Sequence, residues 1–198
     1  MVTDSDKKYS ICVYCASGPV DESFLALAAE VGTAIGRRGW QLVSGGGNVS
    51  MMGAVAESAR AAGAWTVGVI PKALVHKEVA DVGADELIVT DTMRQRKQLM
   101  EDHADAFITL PGGIGTLEEL FETWTAGYLG MHSKPVVLLD PVGHYTGLLE
   151  WLDKLDGTGF VGRKHWTRCW SGPTSRLLST RVSGPEEVRD GLPYCEVR

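Results

Sequence analysis

Short, continuous apolar runs alternate along this chain with longer stretches whose apolar residues recur every three or four positions. The continuous runs fall at residues 10–16, 40–43, 64–70, 86–90, 106–110 and 134–140. Between them, residues 21–38 place Phe24, Leu27, Ala28, Val31 and Ile35 near helical spacing, and Gly39 follows as a terminator. Helices are likewise predicted over 51–62, 92–103, 117–129 and 145–155. Strands that are apolar throughout, separated by amphipathic helices, predict an α/β fold whose parallel sheet is covered on both faces.

Two glycine-rich turns interrupt this alternation, each at the carboxyl end of a predicted strand. Open α/β sheets bind their ligands at those ends. The first turn, Ser44-Gly45-Gly46-Gly47-Asn48, either contacts a phosphate or lets the chain turn tightly. It lacks the Lys-Ser/Thr of a Walker A loop, and its spacing misses G-x-G-x-x-G. ATP hydrolysis and NAD binding are therefore poorly supported.

The second turn is more specific. Leu110-Pro111-Gly112-Gly113-Ile114-Gly115-Thr116-Leu117-Glu118-Glu119 links the fifth predicted strand to a helix. Backbone N–H groups there can approach an anion, aided by the helix N-terminus. Thr116 is expected to cap the helix or bond a phosphate oxygen. Glu118 and Glu119 are expected in the first helical turn. Acids there repel a phosphate, so one of them better serves a sugar or base. Arg94-Gln95-Arg96-Lys97 reads either as a solvated helix face or as Arg96 and Lys97 reaching into the crevice. Glu78, in a predicted loop, reads as an exposed acid, and Met93 abuts the arginine pair.

Composition narrows the picture. The 198 residues suffice for one domain, and the net charge of −6 argues against general nucleic-acid binding. No apolar run reaches ~18 residues, so no membrane span is expected. The first ten residues are polar and lack the apolar core of a signal peptide, which makes the cytoplasm the expected location. Cys12 and Cys15 form a C-x-x-C on a strand and its exit, so reduced, buried thiols are expected. His103, His132 and His144 lack metal-ligand spacing, and no metal or cofactor is expected. One domain spanning 1–198 is expected, with an atypical tail from about residue 162, where periodicity fades apart from a possible short helix at 183–189.

Taken together, these residues resemble the LOG ("Lonely Guy") family, the cytokinin riboside 5'-monophosphate phosphoribohydrolases. Its signature P-G-G-x-G-T-x-x-E stands intact from Pro111 to Glu119. Met93-Arg94-Gln95-Arg96-Lys97 matches its arginine-lysine element. Ser44-Gly45-Gly46-Gly47, Met52-Gly53 and Leu129-Gly130-Met131-His132-Ser133-Lys134-Pro135 also look like the family. The likeness runs from about Tyr9 to Phe160; the Trp-, Arg- and Ser-rich tail departs from the regular amphipathic ending of the family.

The resemblance implies a Rossmann-like three-layer sandwich with a central, mostly parallel sheet, working as a homodimer. It implies hydrolysis of the N-glycosidic bond of N6-substituted AMP, with AMP itself as a further substrate, releasing free base and ribose 5-phosphate. Carried over, Arg96 and Glu119 look like the catalytic pair. Glu78, Lys97, Gly112, Gly113, Ile114, Gly115, Thr116, Leu117, Glu118 and Thr125 look like ligand contacts, with Gly46 and Met93 beside them. A non-catalytic nucleotide or molybdenum-cofactor carrier on the same fold stays open, as does a hydrolase for another nucleoside monophosphate. The older family label, lysine decarboxylase, finds no pyridoxal phosphate lysine here.

Overall fold

The computed structural model describes residues 8–160 and the backbone of the strand Arg168–Trp170. The order is β1 (Ser10–Tyr14), α1 (Glu22–Arg37), β2 (Gln41–Ser44), α2 (Ser50–Ala61), β3 (Thr66–Pro71), β4 (Glu86–Thr90), α3 (Met93–His103), β5 (Ala106–Thr109), α4 (Ile114–Tyr128), β6 (Val136–Leu139), α5 (Thr146–Gly157) and β7 (Arg168–Trp170). The strands form one sheet in the order β4-β3-β2-β1-β5-β6-β7. Every pairing within it is parallel, from Ser10↔Gln41 at the centre to Val137↔Arg168 at the edge.

The apolar continuity of the strands has the expected cause. Ile11, Val13 and Cys15 face one side and pack with Leu27, Val31 and Ile35 of α1 and Met51, Val55 and Ala59 of α2. Cys12, Tyr14, Val43, Val67, Val69 and Phe107 face the other side, against Met100 of α3. Leu138 joins that second side through Leu120 of α4 and Leu149 of α5. A strand buried on both faces cannot alternate apolar with polar residues. The molecule is a three-layer α/β sandwich of Rossmann-like type.

Strand order fixes where a ligand can sit. From β1 the chain steps outward through β2, β3 and β4, then returns to the other side of β1 for β5 and β6. The turns leaving β1 and β5 therefore diverge to opposite faces and leave a crevice between them at the carboxyl edge.

Two sequence expectations shift. Helix α4 begins at Ile114, three residues before the predicted start at Leu117. Ile114 is 88% exposed and Gly115 has no side chain, so the first turn shows no apolar periodicity. Consequently Gly113, in extended conformation, is the N-cap, and Thr116 lies buried inside the first turn. Glu118 and Glu119 fall in the second turn rather than the first. The tail also contributes β7, a strand that local periodicity did not predict. The possible helix at 183–189 lies outside the described residues.

Candidate active site

A cleft of about 480 Å³ opens at the β1/β5 crevice. Its walls come from the turn after β1 (Cys15 to Val20), the second glycine turn (Pro111 to Thr116), and single residues from other elements. Those are Phe24 of α1, Met52 of α2, Glu78 after β3, Arg96 of α3, Glu119 of α4 and His144 after β6.

Arg96 owes its place to an N-terminal capping box. The Thr92 side chain accepts from Gln95 N–H, and the Gln95 side chain accepts from the Thr92 N–H, which starts α3 sharply. Arg96, one turn in, is only 5% exposed. Its Nε donates to the Val69 carbonyl at 3.1 Å and its Nη2 to the Gly45 carbonyl at 3.1 Å. Nη1 lies 3.9 Å from Met93 Sδ. Glu78 Oε2 stands 3.6 Å from Nη2 and has no hydrogen-bond partner among the described residues. The guanidinium is thus held by two carbonyls, one just past β2 and one within β3, with a carboxylate beside it.

Glu78 is not the exposed acid its sequence neighbourhood suggests; its side chain is 16% exposed and lines the cleft. The first glycine turn puts it there. Asn48 N–H donates to the carbonyls of Glu78 and Val79, and Asp81 N–H donates to that of Gly46. Arg60 grips Asp81 through two hydrogen bonds of 2.7 and 3.2 Å, bracing the same loop. Gly45, Gly46 and Gly47 are absent from the cleft wall. They position Arg96 and Glu78 from behind it, so the tight-turn reading of this segment describes its contacts.

Glu119 projects into the cleft from the second turn of α4, partly buried. Burial pushes its carboxyl up to about 7; Arg96 pulls it down, while Glu118 and Glu78 push it further up. Desolvation disfavours the charged form, and the opposing cation does not restore it fully.

The second glycine turn presents the α4 N-terminus. No side chain caps Gly113, and the first turn carries no acidic residue. A Cβ on Gly112 would fall 2.2 Å from Thr116 Oγ1, so only glycine fits there. Gly113, Ile114, Gly115 and Thr116 line the cleft with it.

The other sequence candidates lie apart from this cleft. Lys97 projects toward α4, where its Nζ pairs with Glu118 and, at 2.6 Å, with Glu122. It lines a second cavity of about 220 Å³ with Tyr14, Arg94 and Thr123, and Glu119 borders both cavities. Leu117 packs on the α4–α5 cluster, and Thr125 is exposed on α4. Among the described residues no cluster of three or more His, Cys, Asp or Glu could hold a metal ion. Cys12 and Cys15 are buried free thiols, and burial pushes both well up.

Sequence reasoning missed Ser17, Gly18, Phe24 and His144. The first two were legible in principle, because they follow β1; strand order was the missing information. His144 is brought in by tertiary packing alone.

Comparison with known proteins identifies the family. A family model described as "Possible lysine decarboxylase" matches residues 52–178, reaching past the point where the tail departs in composition. The cytokinin riboside 5'-monophosphate phosphoribohydrolase of Mycobacterium tuberculosis (strain ATCC 25618 / H37Rv) is 64% identical over 94% of this chain and 93% of its own length. An Arabidopsis thaliana protein of the same activity name is 43% identical over 90% of this chain and 79% of its own. Among solved structures, the molybdenum cofactor binding protein of Rippkaea orientalis superposes with a TM-score of 0.66 at 26% identity, covering 88% of this chain and 96% of that one. With the intact Pro111–Glu119 signature forming one wall of the cleft, the chain belongs to the LOG family of cytokinin riboside 5'-monophosphate phosphoribohydrolases.

Proposed function

We propose that this protein hydrolyses the N-glycosidic bond of cytokinin riboside 5'-monophosphates, and of AMP, to free base and ribose 5-phosphate. The observation that carries the reading is the convergence of Glu119, Arg96 and the α4 N-terminus on one cleft. Uncapped N–H groups at Gly113 to Thr116 suit the 5'-phosphate, an anion at a helix N-terminus. That anchor is remote from the bond that breaks, so its binding energy serves to orient the sugar.

Breaking the ribosyl C–N bond builds oxocarbenium character on the sugar. The Glu119 carboxylate stabilises that charge in a site partly screened from water, where such an interaction is strong. It also accepts a proton from the attacking water and passes it to the departing base, so that the carboxylate is regenerated as the neutral base leaves. Arg96 keeps its proton too firmly to act as an acid. Fixed by the Gly45 and Val69 carbonyls, it orients the nucleotide and favours the ionised form of Glu119 against the effect of burial. Lys97, Glu118 and Thr125 then act on the substrate indirectly, through the α3–α4 ion cluster and helix placement. We further propose a cytoplasmic homodimer in which residues 1–198 form one unit, with no nucleic-acid or membrane partner. No helix among the described residues is long and apolar enough to cross a membrane.

Incubation of the purified protein with isopentenyladenosine 5'-monophosphate, AMP and isopentenyladenosine tests the reaction. Release of base and ribose 5-phosphate from the two monophosphates but not from the riboside is expected. The likeness to the Rippkaea orientalis molybdenum cofactor binding protein favours one second reading, a carrier on the same fold. Tight ligand retention without turnover of any nucleotide would select it.

A further inference from the structure

We propose that His144 makes this cleft selective for a 5'-phosphate, supplying positive charge beside the α4 N-terminus and fixing the Gly112 carbonyl. The proposal rests on the reading of that end of the cleft as the phosphate end.

The charge inventory of the cleft points to it. Of the lining residues, Arg96 and His144 are those able to carry positive charge. Arg96 is already engaged: Glu78 lies 3.6 Å from it, and it offsets the ionised form of Glu119. A phosphate dianion at Gly113–Thr116 therefore has one further cation available within the wall, the imidazole of His144.

That imidazole is built into place. The backbone N–H groups of His144 and Tyr145 both donate to the Asp140 carboxylate, at 2.8 and 2.7 Å. The Tyr145 hydroxyl donates to the Leu110 carbonyl at 2.9 Å, tying the same segment to the exit of β5. The His144 ring then lies between two aromatic neighbours, 4.6 Å from Tyr145 and 6.0 Å from Phe24. Its Nε2 stands 3.0 Å from the Gly112 carbonyl oxygen. A carbonyl only accepts, so Nε2 carries a proton. A cationic imidazole there attracts an anion held at the α4 N-terminus.

The titratable groups around the ring are Asp140 and Tyr145 of its own segment and Cys15 at the end of β1. Across the cleft stand Glu78, Arg96 and Glu119; α1 contributes only the Phe24 ring to the contact. The sequence could not show this, because His144 lies 32 residues from Gly112.

Titration calorimetry with AMP and with adenosine, on the wild type, His144→Phe and His144→Gln, tests the proposal. His144→Phe keeps the ring contacts but removes the proton donor and the charge. AMP affinity is expected to fall about 10-fold or more, as befits loss of a charge-assisted contact, with adenosine affinity unchanged. His144→Gln, which restores a donor without charge, falls between. A His144→Phe protein that binds AMP within twofold of wild type overturns the proposal. So does one that loses AMP and adenosine equally with an unchanged melting temperature, and so does a wild type that fails to bind AMP. A wild type that binds AMP with the expected discrimination but releases no base sinks the hydrolase reading and leaves His144 judged on affinity alone.

Discussion

A Cβ placed on Gly45 would lie 2.0 Å from Nη2 of Arg96. The guanidinium occupies the space a side chain would take, which is how its Nη2 reaches the Gly45 carbonyl at 3.1 Å. Gly45→Ala must therefore push Arg96 toward the cleft or break that hydrogen bond. Displacement of a positioned group by about 1 Å costs on the order of 100-fold in rate. We expect kcat/KM for the nucleotide to fall by about that factor, with only a modest drop in melting temperature. Near wild-type turnover in Gly45→Ala would show that the position of Arg96 does not matter to the reaction.

Glu119 links pH to both rate and stability. Its carboxyl titrates near 7 when folded, against about 4.5 as a free side chain. Between those values the folded protein holds the proton more firmly than the unfolded chain, so folding stability falls as pH rises through that window. The penalty is complete above about pH 7 and amounts to a few kcal/mol. Glu119→Gln has no such penalty. It should lose base release by about 100-fold or more, yet unfold at higher denaturant than wild type at pH 8 and show no such advantage at pH 4.5. Chemical denaturation of both proteins at the two pH values checks this. Loss of stability at pH 8 in the variant would mean the carboxylate stabilises the fold.

If the ionised carboxylate is the working form, kcat/KM rises with pH through about 7 in wild type. Glu78 pushes that value upward, so Glu78→Gln should move the rising limb toward lower pH while Arg96 keeps its two carbonyl partners. A pH profile of kcat/KM reads the shift directly. A limb that stays in place would remove Glu78 from the electrostatics of Glu119.

What the sequence disclosed and what it withheld follow from the range of the forces involved. The strands and the two glycine turns are local: Ile11 to Tyr14 is apolar because both sheet faces are covered, and Pro111 to Thr116 bends where β5 ends. Glu119 and Arg96 were legible as chemistry on such turns. Glu78 was not, because its burial depends on hydrogen bonds from Asn48, thirty residues earlier, to its loop. Ser17 and Phe24 became site residues only once strand order placed β1 beside β5. The start of α4 escaped because its first turn, Ile114-Gly115-Thr116, presents an outward Ile and a Gly where apolar periodicity would show.

The second glycine turn separates binding from chemistry. A Cβ on Gly112 would stand 2.2 Å from Oγ1 and 2.6 Å from Cβ of Thr116. Thr116 is 4% exposed in the first turn of α4 and has no room to retreat. Gly112→Ala must then tilt the turn that presents the Gly113, Ile114 and Gly115 N–H groups. Glu119 hangs from the next turn, and Arg96 is anchored elsewhere, on the Val69 and Gly45 carbonyls. The damage should fall on phosphate anchoring: KM for the nucleotide rises about tenfold or more, and inhibition by ribose 5-phosphate weakens in parallel. Steady-state kinetics with ribose 5-phosphate as a competitor distinguishes this from general disorder of the site. A large loss of kcat with ribose 5-phosphate inhibition intact would place the phosphate away from the α4 N-terminus.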